Sequence, residues 1–167
     1  MLPHRSTARR SCRPIQNGRR GYSMLELVIT ISVLALIAGI ALPRMADTLS
    51  AYRADAAADR LVSDLALAQK HARSTGSSET VTFDAVGNRY SFSTIADPVS
   101  ASAVYSVDVT QYPYNAELSR VLVVNSAITF DGYGFPDASG KIAVSSGNAT
   151  RYVKIDSSTG NATVGGD

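Results

Sequence analysis

A single carboxylate, Glu26, lies inside the longest apolar stretch of this 167-residue chain, and it is the only charged residue from Gly21 to Pro43. An ionised side chain costs about 2.5 to 3.5 kcal/mol at the centre of a membrane-spanning helix and less near its end. A charge in this position indicates either a side chain that reaches the membrane surface or one that meets an opposite charge on another molecule.

Other residues with the chemistry of a catalytic or metal site are few. The chain has two histidines, His4 and His71, and one cysteine, Cys12. Nothing in the spacing around His71 supports a Ser-His-Asp arrangement, and one cysteine cannot build a disulfide framework or a cysteine metal site. We expect His71 to be a surface or cap residue near the negative end of a helix. The sequence thus predicts no catalytic residue, no metal ligand and no cofactor.

One glycine-rich segment, Gly132–Asp137, superficially resembles a phosphate-binding loop. It lacks the required spacing and the Lys-Ser/Thr pair that follows such loops. Asp131 and Asp137 could bracket a calcium ion, but the regular spacing of oxygen ligands is missing. We interpret the segment as a turn with aromatic packing.

Positive charge is concentrated at the start of the chain. Residues 1–21 contain six arginines and no acid, whereas the remainder has ten Lys/Arg against fourteen Asp/Glu, a net charge of −4. A basic leader before an apolar segment is a targeting signal, and its charge holds that side in the cytoplasm. From Gly21 to Pro43 a helix is roughly 34 Å long, enough for a bilayer core of about 30 Å. We therefore predict one spanning helix with its N-terminus inside and everything after Pro43 outside the cytoplasm.

The helical pattern continues beyond Pro43 and becomes amphipathic. A proline in a helix interior costs about 3 kcal/mol, so we expect a kink or a short melted stretch at Pro43. The helix should end at Ser74-Thr75-Gly76. Its predicted apolar face consists of Met45, Leu49, Tyr52, Ala56, Leu61, Leu65, Ala68 and Ala72.

After Gly76 the apolar residues alternate with polar ones, as in half-buried strands. Segments 80–83 and 89–93, joined by a turn at 84–88, predict a β-hairpin. Further strands are predicted at 103–110, 120–124, 128–131, 141–145 and 151–156. A long helix packed on antiparallel sheets buries such alternating faces, so the predicted fold class is α+β.

The junction Arg19-Arg20-Gly21-Tyr22-Ser23-Met24-Leu25-Glu26-Leu27 resembles the leader junction of type IV prepilins. Glycine precedes the cut, an aromatic residue follows it, and glutamate is the fifth mature residue; Pro43 falls where many pilins carry a helix-kinking proline. The resemblance implies that a membrane prepilin peptidase cuts between Gly21 and Tyr22 and that the new amine on Tyr22 is methylated. It also implies that Glu26 guides assembly, and we expect its carboxylate to pair with the Tyr22 amine of a neighbouring subunit.

The rest of the chain resembles the GspH/FimT group of pseudopilins and minor pilins. The resemblance lies in the helix end Ala66–Ser74, the strand Val81–Phe83, the stretch Ile128–Asp131 before a glycine-rich turn, and Arg151–Ile155 followed by Ser158–Asn161. It implies a pilin-like fold, in which a spine helix packs on two small antiparallel sheets. The predicted parts are a leader to be removed (1–21), a transmembrane assembly half of the helix (22–43), its amphipathic soluble half (44–76) and a β-rich globular part (77–167).

These features predict a non-enzymatic minor pilin or pseudopilin that acts in filament initiation or at the tip of a type IV pilus or a type II secretion pseudopilus. Its predicted partners are the prepilin peptidase, other major and minor pilins or pseudopilins, and lipid of the bacterial inner membrane, with the globular part in the periplasm. One alternative is a pilus-tip subunit that binds DNA; scattered basic residues disfavour it, although Arg151 and Lys154 share a strand. The other is an exported hydrolase whose signal peptide is cleaved near Ala51.

Overall fold

The computed structural model describes residues 21–100 and 103–165, and of residues 42 and 43 it describes the backbone alone. The predicted leader, with His4 and Cys12, lies outside the described residues except for Gly21. The chain divides into two compact units, one that reaches Gly39 and one that begins at Ile40.

The described residues form one α-helix, one short 3-10 helix and eight strands. Helix α1 is Met24–Thr75, and the strands are β1 Glu79–Asp84, β2 Arg89–Ala96, β3 Val104–Asp108, β4 Glu117–Leu122, β5 Ala127–Phe130, β6 Gly140–Ser146, β7 Ala149–Ile155 and β8 Ala162–Gly165; the 3-10 helix is Val124–Ser126. One sheet has the strand order β3-β2-β1-β5, and the second has the order β4-β6-β7-β8. All pairs of neighbouring strands are antiparallel, which confirms the predicted α+β class.

Helix α1 begins and ends where local chemistry favours it. The Ser23 hydroxyl accepts a hydrogen bond from the Leu25 amide at 3.3 Å, which caps the first turn. The last helical residue is Thr75, and Gly76 follows with φ +66°, a left-handed conformation that glycine adopts without strain. The predicted end is therefore confirmed. Position 43 falls within the helix, and the kink predicted there stays a prediction.

Only the second half of the predicted apolar face of α1 is buried. Of the predicted apolar face, Leu61, Leu65, Ala68 and Ala72 are buried, whereas Met45, Leu49, Tyr52 and Ala56 are exposed. The residues buried in their place are Ala54, Ala57 and Ala58. Ala57 and Ala58 pack in the core with residues of both sheets, and the bulkier side chains are exposed.

Both sheets contribute to one core against this helix. The first sheet adds Val81, Phe83, Tyr90, Phe92, Tyr105, Ile128 and Phe130, and the second adds Leu118, Ile142, Val144, Val153 and Ile155. The cross-strand partners Val81 and Phe92 in the first sheet, and Ile142 and Val153 in the second, lie on the faces turned to the core.

All seven predicted strands are present, with bounds that differ by a few residues. Strand β4 begins at Glu117, three residues before its predicted start, and ends at Leu122. Strand β8 was not predicted, because four residues with one large apolar side chain, Val164, show too little alternation to be recognised. It is defined by pairing with β7, in which Val153 lies opposite Val164.

Candidate functional site

The predicted processing junction lies just before α1. Gly21 and Tyr22 precede the helix and are exposed, and Glu26 lies in its first turn. A carboxylate in the first turn interacts favourably with the helix dipole, by about 0.3 to 1 kcal/mol. That gain is smaller than the cost of placing the charge inside a membrane. The helix dipole alone does not offset the cost of an ionised Glu26 deep in a membrane, so the two alternatives remain a side chain that reaches the membrane surface and one that meets an opposite charge.

The apolar stretch after Glu26 is long and apolar enough to cross a membrane, judged by length and composition. Its large side chains are exposed in the described structure: Leu27, Val28, Ile29, Ile31, Val33, Leu34, Leu36, Ile37 and Ile40. The two hydroxyls in the stretch bond back to their own helix, Thr30 to the Leu27 carbonyl and Ser32 to the Val28 carbonyl, both at 2.8 Å. This satisfies polar groups that lipid cannot hydrogen-bond.

A further exposed apolar face lies on α1 after position 43. Met45, Leu49 and Tyr52 recur at steps of four and three residues and are exposed. Together with Arg44 and Thr48 they line an open concavity of about 340 Å³. Sequence analysis identified these residues as part of one apolar helix face, because periodicity alone does not tell a face buried in the fold from one that stays exposed.

A buried carboxylate, Glu79, is the first residue of β1 and lies four residues after the end of α1 at Thr75. Its Oε1 accepts hydrogen bonds from the Ser93 amide at 2.7 Å, the Ser93 hydroxyl at 3.0 Å and the Thr94 amide at 3.1 Å, and its Oε2 accepts one from the Thr94 hydroxyl. The His71 Nδ1 atom is 3.2 Å from Oε2. Burial raises the pKa of Glu79, but the hydrogen bonds from Thr94 and Ser93 outweigh it, and the pKa lies below its ordinary value.

The position of His71 is more specific than sequence analysis indicated. It is half-buried near the end of α1, as expected for a residue close to the helix terminus, and in addition its side chain faces Glu79. The Thr94 hydroxyl oxygen also lies 3.5 Å from His71 Nδ1. Glu79 follows His71 by eight residues and Thr94 follows it by 23, so neither partner could be recognised from local sequence.

A second buried carboxylate, Asp64, joins α1 to the first sheet. Its Oδ2 accepts hydrogen bonds from the Tyr90 hydroxyl at 2.6 Å and from Arg60 Nε at 2.9 Å, and Arg60 also donates to the Tyr105 hydroxyl. Burial raises the pKa of Tyr90, and the negative charge on Asp64 raises it further. Burial also raises the pKa of Tyr105, so both tyrosines are neutral at physiological pH and hold the helix against the sheet.

The turn predicted at Gly132–Asp137 is present, but its predicted aromatic packing is wrong. Tyr133 is 80% exposed and Phe135 is 47% exposed. Asp131 Oδ1 accepts hydrogen bonds from the amides of these two residues at 3.0 and 2.8 Å, and Asp137 Oδ1 accepts one from the Thr129 amide at 3.1 Å. Both carboxylates thus order the turn, and the described residues contain no group of three or more metal-ligating side chains.

The two basic residues considered for DNA binding lie on opposite faces of β7. Arg151 belongs to the inward face and forms a two-pronged ion pair with Asp55 of α1, whereas Lys154 is exposed on the outer face. The two side chains therefore do not form one cationic surface, since residues three apart in a strand point to opposite sides.

The family comparison adds independent evidence. The family model for the type II transport protein GspH matches residues 57–160, and the model for the prokaryotic N-terminal methylation motif matches residues 16–42. A comparison with curated proteins found no match.

The fold is similar to that of the type IV minor pilin FimU from Pseudomonas aeruginosa, solved in space groups P21 and P65. The sequence identities are 17% and 16%, and the TM-score is 0.51 in both cases. The matches cover 68% and 67% of this chain and 88% and 92% of the FimU chains. None of these likenesses supports the DNA-binding alternative.

The GspH match covers well over half of the chain, and the methylation motif coincides with the exposed apolar start of α1. The chain therefore belongs to the GspH family and is a minor pilin or pseudopilin, a subunit of a type IV pilus or a type II secretion system.

Proposed function

We propose that this subunit is made as a precursor, is cut between Gly21 and Tyr22 by a prepilin peptidase, and is methylated on Tyr22. The match of the methylation motif to residues 16–42 carries the proposal. It is supported by the exposure of Gly21 and Tyr22 before the first turn of α1, because a protease needs an accessible extended segment.

Before assembly, residues 22–43 anchor the protein in the bacterial inner membrane, with the N-terminus in the cytoplasm. Residues 44–76 and the β-rich part from 77 onward lie in the periplasm. The arginine-rich leader and the apolar stretch support this orientation. In the filament the subunit acts in initiation or at the tip, packs against other pilins or pseudopilins, and has no enzymatic role.

Assembly depends on Glu26 in this proposal. Cleavage creates a positive amine on Tyr22, and a carboxylate about 4 Å from it gains roughly 4 kcal/mol at an effective dielectric constant near 20, before desolvation is subtracted. This exceeds the helix-dipole gain and can offset the cost of burying Glu26. Pairing between Glu26 of one subunit and Tyr22 of its neighbour would also set the axial offset between them.

The first test is the N-terminus of the mature protein, purified from its native membrane and measured by intact mass and terminal sequencing. The expected product begins at N-methylated Tyr22. A chain that keeps Met1, or one that begins near Ala51, would remove the proposed processing.

The second test compares Glu26→Ala with Glu117→Ala, which removes an exposed carboxylate from the edge strand β4. Both variants should be processed and should remain in the membrane. Only Glu26→Ala should be lost from sheared or pelleted filaments, by tenfold or more. Equal incorporation of the two variants would refute the role of Glu26.

A further inference from the structure

The outer face of the second sheet, turned away from the core, carries a cluster of positive charge. Core-facing and outward-facing residues alternate along a strand. Lys141 and Lys154 are next in sequence to the core residues Ile142 and Val153, so both lysines face outward. Arg120 of the neighbouring strand β4 is exposed on the same face. These three cations are here named the cationic face.

The sheet contains little negative charge to balance the cationic face. Among the described residues of its four strands the one acid is Glu117, at the other end of β4. It pairs with Ser145, which follows Lys141 by four residues, or about 13 Å along a strand. The remaining cation of these strands, Arg151, lies on the inner face and is paired with Asp55. The cationic face is therefore a local positive surface on a chain whose net charge after residue 21 is −4.

The cations of this face are placed where they repel one another. Lys141 and Lys154 are direct cross-strand partners. Arg120 pairs with Ala143, two residues along β6, and so lies diagonally from Lys141. Direct partners have Cβ atoms about 4.5 to 5.5 Å apart, diagonal neighbours are about 7 to 8 Å apart, and like charges directly opposite destabilise a sheet. Negative charge bound here removes that repulsion, so the arrangement favours an anionic ligand at the expense of the free fold.

Tyr152 holds one of the lysines in place. Lys141 Nζ lies 3.8 Å from the centroid of the Tyr152 ring, a cation–π contact. A side chain that is already ordered loses less conformational entropy when it binds a partner. Leu122, the cross-strand partner of Lys141, is 54% exposed and adds an apolar edge beside the charges. This combination suits a protein surface of opposite charge.

Nucleic acids and the carboxylates of proteins both carry suitable negative charge. Strongly salt-dependent binding to nucleic acid comes from about six to ten phosphate contacts, and three cations supply fewer. The net charge of −4 also repels a long polyanion, whereas a protein needs to bring only a local group of carboxylates to this face. The observations therefore favour an acidic protein surface.

We propose that the cationic face docks a group of carboxylates on a different pilin or pseudopilin subunit. The inference rests on the proposed function, because a minor subunit in initiation or at the tip has neighbours other than copies of itself. It names a contact made by the β-rich part, in addition to the pairing of Glu26.

The experiment places a photo-crosslinking amino acid in the full chain, as Leu122→p-benzoylphenylalanine, which keeps a large apolar side chain beside Lys141. The chain is expressed in its native host and irradiated, and the products in membrane and filament fractions are mapped by mass spectrometry. The matched control is Val86→p-benzoylphenylalanine, in the exposed turn between β1 and β2. The expected product joins position 122 to a segment rich in Asp and Glu on a different pilin or pseudopilin. It should be at least five times more abundant than any product from position 86.

A second change, Lys154→Glu, separates docking from folding. It replaces a like-charge cross-strand pair by an opposite-charge pair, so the urea midpoint of the full chain should stay the same or rise. The crosslink from position 122 should nevertheless fall at least fivefold. Lys70→Glu makes the same charge change at an exposed position of α1, and it should leave the crosslink within twofold of its original yield.

Several outcomes would overturn the docking. They are a crosslink that persists with Lys154→Glu, one that maps to another copy of this chain or to a segment without carboxylates, and one that nuclease treatment removes. A lower urea midpoint for Lys154→Glu would overturn it as well, because the lysine pair would then stabilise the fold. Failure of the proposed function is seen separately, as absence of the unmodified chain from the filament fraction.

Discussion

Replacing Glu79 by glutamine should destabilise the folded head strongly, although the two side chains have nearly the same shape. The Glu79 side chain has 0% exposure, and its carboxylate accepts four hydrogen bonds from Ser93 and Thr94 and faces His71. Hydrogen bonds to a charged group contribute about 1.5 to 3 kcal/mol, against about 0.5 to 1.5 kcal/mol for neutral pairs.

The loss can be estimated from the two oxygens separately. The three bonds to Oε1 survive in Glu79→Gln but become neutral, at a cost of about 1 kcal/mol each. The amide group that replaces Oε2 can no longer accept from the Thr94 hydroxyl, which must turn to act as an acceptor. We expect a total loss of about 2 to 4 kcal/mol in the free energy of unfolding, as for other broken buried charge networks.

The assay is urea unfolding of the full chain in detergent micelles, followed by far-ultraviolet circular dichroism. With a slope of about 2 kcal/mol per molar urea, the midpoint should fall by about 1 to 2 M. Glu117→Gln is the matched control, because it removes an exposed carboxylate from a strand edge and should change stability by less than about 0.5 kcal/mol. A midpoint difference of about 0.3 M corresponds to about 0.5 kcal/mol in the free energy of unfolding. If the Glu79→Gln midpoint lies within this distance of the control midpoint, the reasoning is refuted.

The pH dependence gives a second readout of the same perturbation. The pKa of Glu79 is lowered in the folded state, so its contribution is present above the unfolded value of about 4.3 and is lost as pH falls through the folded pKa. The difference in stability between the wild-type chain and Glu79→Gln should therefore be full at pH 6 and shrink at acid pH. A difference that stays constant down to pH 3 would contradict the assigned role of the charge.

Three further changes test other parts of the fold by the same unfolding assay. Leu61→Ala should cost about 2 to 5 kcal/mol because it leaves a cavity in the core, whereas Leu49→Ala should cost less than about 0.5 kcal/mol; equal effects would show that the buried face of α1 is misassigned. Gly160→Ala should cost more than about 1 kcal/mol, because φ is +73° and the new Cβ would lie 2.2 Å from Gln69 Nε2; an unchanged midpoint would contradict this close packing. Asp64→Asn should cost about 2 to 3 kcal/mol, because it leaves a partly buried arginine without its counter-charge; a neutral effect would refute the importance of that pair.

Local patterns in the sequence predicted much of this protein. The apolar stretch that contains Glu26, the arginine-rich leader before it and the end of the helix at Gly76 each depend on neighbouring residues alone, as does the hairpin of β1 and β2. The family followed from the same features and is confirmed by the matches to residues 16–42 and 57–160. Strand β8 was not predicted, because it is defined by its pairing with β7 and has no sequence pattern of its own.

The tertiary structure decided which side of α1 is buried. Residues 45–61 offer two apolar faces, one of large side chains and one of alanines, and helical periodicity fits both. Packing in the fold buries Ala54, Ala57 and Ala58 of the alanine face and leaves Met45, Leu49 and Tyr52 exposed. The partners of Glu79 were likewise set by the rotation of the helix and the register of the strands. Those are long-range properties, since they bring together groups that no local pattern in the sequence connects.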